Sequence, residues 1–204
     1  MANKQFDVLV IGGGPAGSTV APMLADKGHR VVMLEKAHHP RFHIGESLLP
    51  ANLPLFERMG IAEEVKAIGM LKPGAEFVSP NHDMSSVFCF AEAWDKSMPY
   101  AYQVRRDQFD TVLIRNAAKK GVEVHEGCKA KAVEFLPDNT VLVRAVHDDG
   151  SESEWHARFL VDASGRDTFL ANRFQIKHRN PKHNSSAIYG HFTGARRNGC
   201  YRAS

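Results

Sequence analysis

The chain has 204 residues, of which 43% are hydrophobic and 24% are charged, so it is long enough to bury the core of a large globular domain. Its net charge of +3 and its scattered basic residues exclude the charge pattern of a nucleic-acid-binding protein. No apolar run approaches the roughly 20 residues that span a bilayer, and residues 1–5 lack the apolar segment of a signal peptide. We therefore expect a cytoplasmic protein with no membrane span.

Residues 6–35 carry the pattern around which the chain is organised. Residues 6–11 are an apolar run typical of a buried parallel strand, and Gly12, Gly14 and Gly17 follow it in G-x-G-x-x-G spacing. These glycines suit a tight turn, a close approach to a pyrophosphate and the packing of a helix on a strand. Residues 16–27 have helical composition, so the first N–H groups of that helix would face the phosphates.

A second strand and an acid complete this pattern. Residues 30–34 are predicted to form the strand, and Glu35 ends it where a carboxylate can accept hydrogen bonds from both ribose hydroxyls of an adenosine. Three glycines alone are weak evidence, but strand, turn, helix, second strand and acid occur here in order. The sequence therefore predicts dinucleotide binding.

The remaining elements alternate less regularly. Residues 52–60 and 62–68 are predicted helices, and strands near residues 70–77 and 85–91 interrupt the β-α-β alternation, which indicates an excursion into an antiparallel layer. A further helix should begin at Asp107, as N-cap with Asp110 at the N3 position, and a short strand at residues 122–124 should follow it.

The later part of the chain predicts strands joined by turns. Residues 129–136, 140–147 and 153–161 form a β-meander where a doubly wound protein would place a crossover helix. The last of these strands leads into Asp162, and one more strand is expected at residues 187–193.

The cysteines and histidines show no metal-ligand spacing. The loop at residues 36–43 contains three histidines, but no cysteine or acid completes a ligand set, so we expect a solvated basic loop and no metal. The three cysteines are far apart without a C-x-x-C pair, which favours free thiols in a reducing compartment: Cys89, Cys128 and Cys200.

Together these motifs resemble the flavin-dependent halogenases. The resemblance includes the glycine motif with Glu35, the G-E-S-L-L-P segment at residues 45–50, the V-x-R-x-x-F-D-x-x-L pattern at residues 104–113, the meander, and D-A-S-G at residues 162–165. Geranylgeranyl reductases and aromatic hydroxylases share part of it. It implies an α/β fold: a Rossmann-like, three-layer FAD-binding fold with a β-meander crossover and the beginning of an antiparallel substrate domain.

The resemblance also implies a division into domains. Residues 1–75 and 100–170 would form the FAD-binding domain, and residues 76–99 and 171–204 would begin a substrate-binding domain. The W-x-W-x-I-P signature and the later Gly-Asp fingerprint of the halogenases are absent. We therefore expect the chain to be the N-terminal part of a longer protein and to be inactive alone.

The resemblance implies FAD as the cofactor and assigns positions to it. Arg106 would lie near the cofactor at the head of a helix, although a plain ion pair with a neighbouring acid is the alternative. Asp162 would belong to a second ribose-side fingerprint, with an ordinary turn acid as the alternative. The implied cofactor-binding positions are Gly12, Gly14, Ala16, Gly17, Glu35, Lys36, Arg41, Ile44, Ser47, Arg106, Ala130, Asp162 and Gly165.

Lys72 is the implied catalytic residue. Halogenases carry an essential lysine in a similar strand-entry segment, where it passes the halogen from hypochlorous acid to the substrate. The alternative is an ordinary solvated lysine in a loop, since related flavoproteins that do not halogenate can carry a lysine here.

The implied function is that of an FAD-dependent oxidoreductase. It would be a halogenase that acts on an electron-rich small molecule, free or tethered to a carrier protein, through a flavin hydroperoxide and a lysine. A halide ion would be a co-substrate, and a separate flavin reductase or a nicotinamide donor would supply reduced FAD. The alternatives are a monooxygenase or reductase on the same scaffold, or a non-catalytic nucleotide-binding fragment.

Overall fold

The structure is a computed structural model, and it describes residues 5–79, 81–178, 180–182, 186, 188–191 and 193–194. Its first part contains these helices and strands: β1 Gln5–Ile11, α1 Pro15–Ala25, β2 Val31–Leu34, α2 Leu53–Met59, α3 Ala62–Ile68, β3 Met70–Lys72, β4 Gly74–Ser79, β5 Met84–Cys89 and β6 Ala101–Gln103. The second part contains α4 Arg106–Lys119, β7 Glu123–His125, β8 Cys128–Phe135, β9 Val141–His147, β10 Glu152–Asp162 and α5 Phe169–Arg173. Within the described ranges, no helix has the length and apolar character needed to cross a membrane.

The main sheet has six strands in the order β7-β2-β1-β10-β9-β8. The pairs β7–β2, β2–β1 and β1–β10 are parallel, whereas β9 runs antiparallel between β10 and β8. In the register of the sheet, Ile11 pairs with Leu34 on one side and with Asp162 on the other. The carboxyl ends of three parallel strands therefore lie level at one edge, which is where α/β sheets bind ligands.

Alternation along β1 explains the layers on either side of the sheet. Leu9 and Ile11 face one way and pack with residues of β2, β8, β9 and β10, so the meander covers that face. Val8 and Val10 face the other way, against Ala21 of α1 and residues of α4. The observed architecture confirms the predicted α/β, Rossmann-like fold with its β-meander crossover.

A third group of buried side chains holds the two short helices in place. Side chains of α2 and α3 pack against β6 and α4, with the Phe56 and Phe109 rings 5.8 Å apart, edge to face. The strands of the excursion are separate from the main sheet: β3 pairs with β6, and β4 pairs with β5.

The start of α4 differs from the expectation. The helix begins at Arg106, Arg105 occupies the N-cap position, and no side chain caps the helix. Asp107 lies in the first turn, and the carboxylate of Asp110 accepts two hydrogen bonds from the guanidinium of Arg106. The predicted N-cap is therefore wrong, because Asp110 forms a stronger charge-assisted pair with Arg106.

One of the loop histidines also corrects the sequence analysis. His39 is buried with its Nδ1 2.7 Å from Glu126 Oε1, so the loop is not wholly solvated. This contact depends on tertiary proximity, which the spacing of residues in the sequence does not show. Cys128 keeps a buried free thiol, as expected, and Cys200 lies outside the described residues.

The strand expected at residues 187–193 is not present in the part that the structure describes. Positions 188–191 and 193–194 are outside any strand, and positions 187 and 192 lie outside the described residues.

Gly17 sets the closeness of α1 to β1. A Cβ added there would lie 1.9 Å from the carbonyl oxygen of Gly12, a backbone atom that cannot move freely. We expect Gly17→Ala to lower the free energy of unfolding by about 1–3 kcal/mol, because overpacking displaces the helix. Urea denaturation measures this change.

Gly14→Ala is the matched control for stability. A Cβ at Gly14 would meet only Nη2 of Arg41, at 3.5 Å, and the backbone there is extended. Its cost should stay below about 1 kcal/mol. Equal loss of stability in the two variants would contradict the packing argument.

Candidate cofactor-binding and catalytic site

A cavity of about 790 Å³ opens at the edge where the parallel strands end. Its size is within the usual range for ligand sites. It brings together most of the predicted cofactor positions: Gly12, Gly14, Ala16, Glu35, Lys36, Arg41, Arg106, Ala130 and Gly165. Four predicted positions do not line it: Gly17, Ile44, Ser47 and Asp162.

The glycine turn forms one wall of this cavity. Gly12 has a φ of +103°, and a Cβ there would lie 2.4 Å from the carbonyl oxygen of Ala163, so the turn packs tightly against the end of β10. Gly14 is the N-cap of α1, and this helix has no acidic residue in its first turn. The first free N–H groups and the positive end of the helix dipole are therefore available to an anion.

Glu35 is buried at the end of β2 and is already partnered. Its Oε2 accepts a hydrogen bond from the N–H of Gly13 at 2.6 Å, and its Oε1 accepts one from the N–H of Ala37 at 2.8 Å. Each oxygen retains a second lone pair, so the carboxylate can still accept a hydrogen bond from a ribose hydroxyl. Glu35 thus shapes the glycine turn as well as lining the cavity.

Two arginines share one buried carboxylate below the cavity. Asp110 is fully buried and accepts hydrogen bonds from Nε and Nη2 of Arg106 at 2.8 and 2.9 Å. Nη2 of Arg41 lies 3.6 Å from the same carboxylate. The ion pair that was the alternative for Arg106 is therefore present, while its side chain also lines the cavity. The sequence analysis did not include Asp110 among the site residues, although it is the aspartate of the V-x-R-x-x-F-D-x-x-L pattern at residues 104–113.

Arg41 supports an anionic occupant. Its Nε is buried and has no hydrogen-bond partner among the described residues, and it lies 4.0 Å from Oε1 of Glu35. A buried donor without a partner is costly, so a group that accepts its hydrogen bond would stabilise the site. The space beside Gly14, the free helix N–H groups and this guanidinium together fit the pyrophosphate of a dinucleotide.

The opposite wall comes from the end of β10 and the turn after it. Lys36 forms an ion pair with Asp167, and Ala130 of β8 and Gly165 also line the cavity. Asp162 accepts hydrogen bonds from the N–H groups of Ser164 and Leu170 at 3.0 and 2.7 Å. Its carboxylate thus holds the turn that follows β10, behind the lining of the cavity.

Lys72 lies at the end of β3, away from the cavity lining. Its Nζ donates hydrogen bonds to Oγ of Ser47 at 2.5 Å and to the carbonyl oxygen of Leu48 at 3.1 Å, and it lies 5.2 Å from the centre of the Phe90 ring. Burial lowers the pKa of the Lys72 amine below its usual range. Lys72 is thus a partly buried lysine whose ammonium has defined hydrogen-bond partners.

The segment at residues 44–48 connects the two parts of the site. Its first carbonyl, that of Ile44, accepts a hydrogen bond from Nη1 of Arg106 at 2.7 Å. Further along, the N–H of Leu48 donates to the carbonyl oxygen of Tyr102 on β6 at 3.0 Å, next to Lys72 on the paired strand β3. Ile44 and Ser47 therefore lie on this segment and not on the wall of the cavity.

The fold and the cavity define a class: a dinucleotide-binding flavoprotein domain. The family model of the FAD binding domain matches residues 5–191. The chain belongs to this family, and FAD is the cofactor that its residues fit.

The relatives are mainly halogenases. The chain is 39% identical to the flavin-dependent halogenase armH3 of Armillaria mellea, over 94% of the chain and 38% of the relative. It is 34% identical to the 1H-pyrrole-2-carbonyl-[peptidyl-carrier protein] chlorinase of Pseudomonas fluorescens, over 94% and 46%. The solved structure of the myxobacterial chondrochloren halogenase CndH superimposes with a TM-score of 0.76 at 42% identity, over 81% of this chain and 38% of that one. The chain thus spans less than half the length of these relatives.

The partners of Glu35 generate a prediction. Glu35→Gln replaces one acceptor oxygen with an NH₂ group, which would face the N–H of Gly13 or of Ala37. We expect the free energy of unfolding to fall by about 1–3 kcal/mol and the affinity for ADP to fall about tenfold. Chemical denaturation and calorimetric titration with ADP measure the two effects.

Glu57→Gln, on the exposed side of α2, is the control and should change neither quantity. If Glu35→Gln matched the wild type in both measurements, the carboxylate would have no role in shaping the turn or in binding.

Asp162 generates a prediction on pH. Burial acts to raise the pKa of this carboxyl, but the hydrogen bonds from Ser164 and Leu170 outweigh it, and the net pKa is lowered. A lowered folded-state pKa contributes stability above the unfolded-state pKa, and this stability is lost as the pH falls through the folded-state value. Asp162→Asn should therefore be less stable than the wild type at pH 7, and the difference should shrink below about pH 4.

Urea denaturation at pH 7 and at pH 3 checks this, with the exposed turn variant Asp83→Asn as control. A difference between wild type and Asp162→Asn that stays constant over this range would show that the ionised carboxylate is not the stabilising form.

Proposed function

We propose that this chain is part of an FAD-dependent halogenase that acts on an electron-rich small molecule and uses Lys72 as its catalytic lysine. The observation that carries the proposal is the environment of Lys72. Its ammonium is partly desolvated and donates a hydrogen bond to Ser47, on a segment whose other end is bound by Arg106 at the cavity. A fully solvated surface lysine would have neither feature.

The cofactor would be held by three kinds of group. The free N–H groups at the start of α1 and the guanidinium of Arg41 would bind the pyrophosphate. Glu35 would accept hydrogen bonds from the hydroxyls of the adenosine ribose. Ala130 and Gly165 would contact the cofactor from the opposite wall of the cavity. Arg106 would orient the segment at residues 44–48 from below.

Bound FAD, when reduced, supplies the electrons that let dioxygen oxidise a halide to an electrophilic halogen. In the overall reaction, reduced FAD, dioxygen, a halide, a proton and the substrate C–H give oxidised FAD, two water molecules and a carbon–halogen bond. Lys72 would hold the electrophilic halogen and direct it at the substrate. A primary amine of lowered pKa suits this task because a larger fraction of it is neutral and nucleophilic.

The proposed substrate and partners are inferred from those of the relatives. Two of them act on a pyrrole carbonyl tethered to a peptidyl-carrier protein, which supports a carrier-bound or free aromatic substrate here. Reduced FAD would come from a separate flavin reductase or from a nicotinamide donor, in the cytoplasm. Residues 1–75 and 100–170 would form the FAD-binding domain, and residues 76–99 and 171–204 would begin the substrate domain; this is supported by β4 pairing with β5 outside the main sheet.

Lys72→Ala tests this function. In the complete gene product that contains this chain, we expect the variant to lose halogenated product by at least about a hundredfold while FAD binding and oxidation of reduced FAD persist, because a lysine acting after dioxygen has reacted is needed for the second step only. Reduced FAD, dioxygen, bromide or chloride, and a panel of phenols, pyrroles and indoles are supplied, and products are identified by mass spectrometry.

Lys66→Ala, at an exposed lysine of α3, is the matched control and should halogenate at the wild-type rate. Halogenated product from Lys72→Ala at that rate would remove the lysine from the mechanism. Hydroxylated product without halogen from the wild type would identify a monooxygenase instead.

A further inference from the structure

The ammonium of Lys72 is held by neutral groups. Two of its three donors are used by the hydroxyl oxygen of Ser47 and the carbonyl oxygen of Leu48. The face of the Phe90 ring lies on a third side, with the nitrogen 5.2 Å from the ring centre. Among the described residues, no carboxylate lies within ion-pair distance of this nitrogen.

Neutral partners have a different effect from a carboxylate. A carboxylate close by would stabilise the ammonium strongly and raise the pKa of the amine. Dipoles and a ring face fix the direction of the long side chain while they stabilise its charge only modestly. Desolvation then remains the larger effect, in agreement with the lowered pKa of Lys72.

Phe90 is itself firmly placed. Its side chain is buried, and its N–H donates to the carbonyl oxygen of Pro73, the residue that follows Lys72, at 2.8 Å. Its ring meets Phe88 edge to face at 6.0 Å, and Phe88 stacks on Phe77 at 5.8 Å. Backbone and aromatic contacts thus hold the ring beside the lysine from the side of β5.

Ser47 is placed from the opposite side. It forms an isolated β-bridge with Gln103 of β6, while Lys72 pairs with Ala101 of the same strand. The backbone segments that carry the hydroxyl of Ser47 and the amine of Lys72 are therefore both paired with β6.

We propose that Ser47 and Phe90 are positioning residues that clamp the Nζ of Lys72 between a hydroxyl and an aromatic face, so that the amine acts from one fixed point. The importance of this clamp for the reaction rests on the proposed function. The contacts that form the clamp do not depend on that function. The clamp also gives Ser47, which does not line the cofactor cavity, a role at the reacting amine.

The test measures the pKa of Lys72 directly. In competitive labelling with acetic anhydride, the complete gene product is acetylated across a range of pH, and mass spectrometry follows each lysine peptide. Both partners stabilise the ammonium, so Phe90→Leu and Ser47→Ala should each lower the pKa of Lys72 by about half a unit. Ser47→Thr, which keeps the hydroxyl, and Phe90→Tyr, which keeps the ring face, should restore the wild-type profile.

Two controls separate a clamp from general loosening of the hairpin. Val87→Ala, at an exposed position of the same strand, leaves the ring contacts of Phe88 and Phe90 in place and should leave the Lys72 profile unchanged. Lys66 is the internal reference in every sample. Unchanged Lys72 profiles in both Phe90→Leu and Ser47→Ala, or an equal shift in Val87→Ala, would overturn the proposal. Ser47 is exposed, so Ser47→Ala decides the question even if Phe90→Leu fails to fold.

Halogenation assays of the same variants form a separate arm. Loss of the clamp should lower kcat with little change in KM, because the amine is misplaced after the substrate has bound. If Lys72→Ala still halogenates, the proposed function fails while the labelling shifts still report the clamp. If the labelling shifts are absent while Lys72→Ala is inactive, the clamp fails and the function stands.

Discussion

The buried carboxylate of Asp110 is the interaction on which the site depends. It is inaccessible to solvent and is bound on two sides by Arg106, so removal of either partner would leave an uncompensated charge in the interior. Through Arg106 it holds the carbonyl of Ile44, and the guanidinium of Arg41 lies close to it below the cavity. One carboxylate on α4 thus organises the loop that follows β2.

This arrangement connects the lining of the cavity to Lys72 through one short segment of chain. The segment at residues 44–48 is fixed at its start by Arg106 and at its end by β6, and it presents the hydroxyl of Ser47 to the lysine. Arg106, which lines the cavity, and Lys72 therefore contact the same segment from its two ends.

Local patterns predicted the fold well, since period-two alternation and turn residues are short-range signals. The meander and the glycine turn were found in this way. The start of α4 was mispredicted because Asp110 forms an ion pair with Arg106 in preference to a capping interaction. His39 was expected in solvent. Its ring is buried instead, with Nδ1 within hydrogen-bond distance of the carboxylate of Glu126, 87 positions away in the chain. The i,i+4 spacing of Arg106 and Asp110 is visible in the sequence, whereas the partner of His39 is not.

By itself, the sequence determined that a nucleotide site forms after β1 and which residues are its candidates, because the strand, turn, helix and acid are adjacent in the chain. Only the tertiary structure decided how those candidates act. It directed Asp162 to its own turn, joined Arg41 and Arg106 at one carboxylate, and placed Lys72 between Ser47 and Phe90. The contacts of Arg41 with Asp110 and of Lys72 with Ser47 and Phe90 join different elements, so they form only when packing brings β3, β5, β6 and α4 around the segment that follows β2.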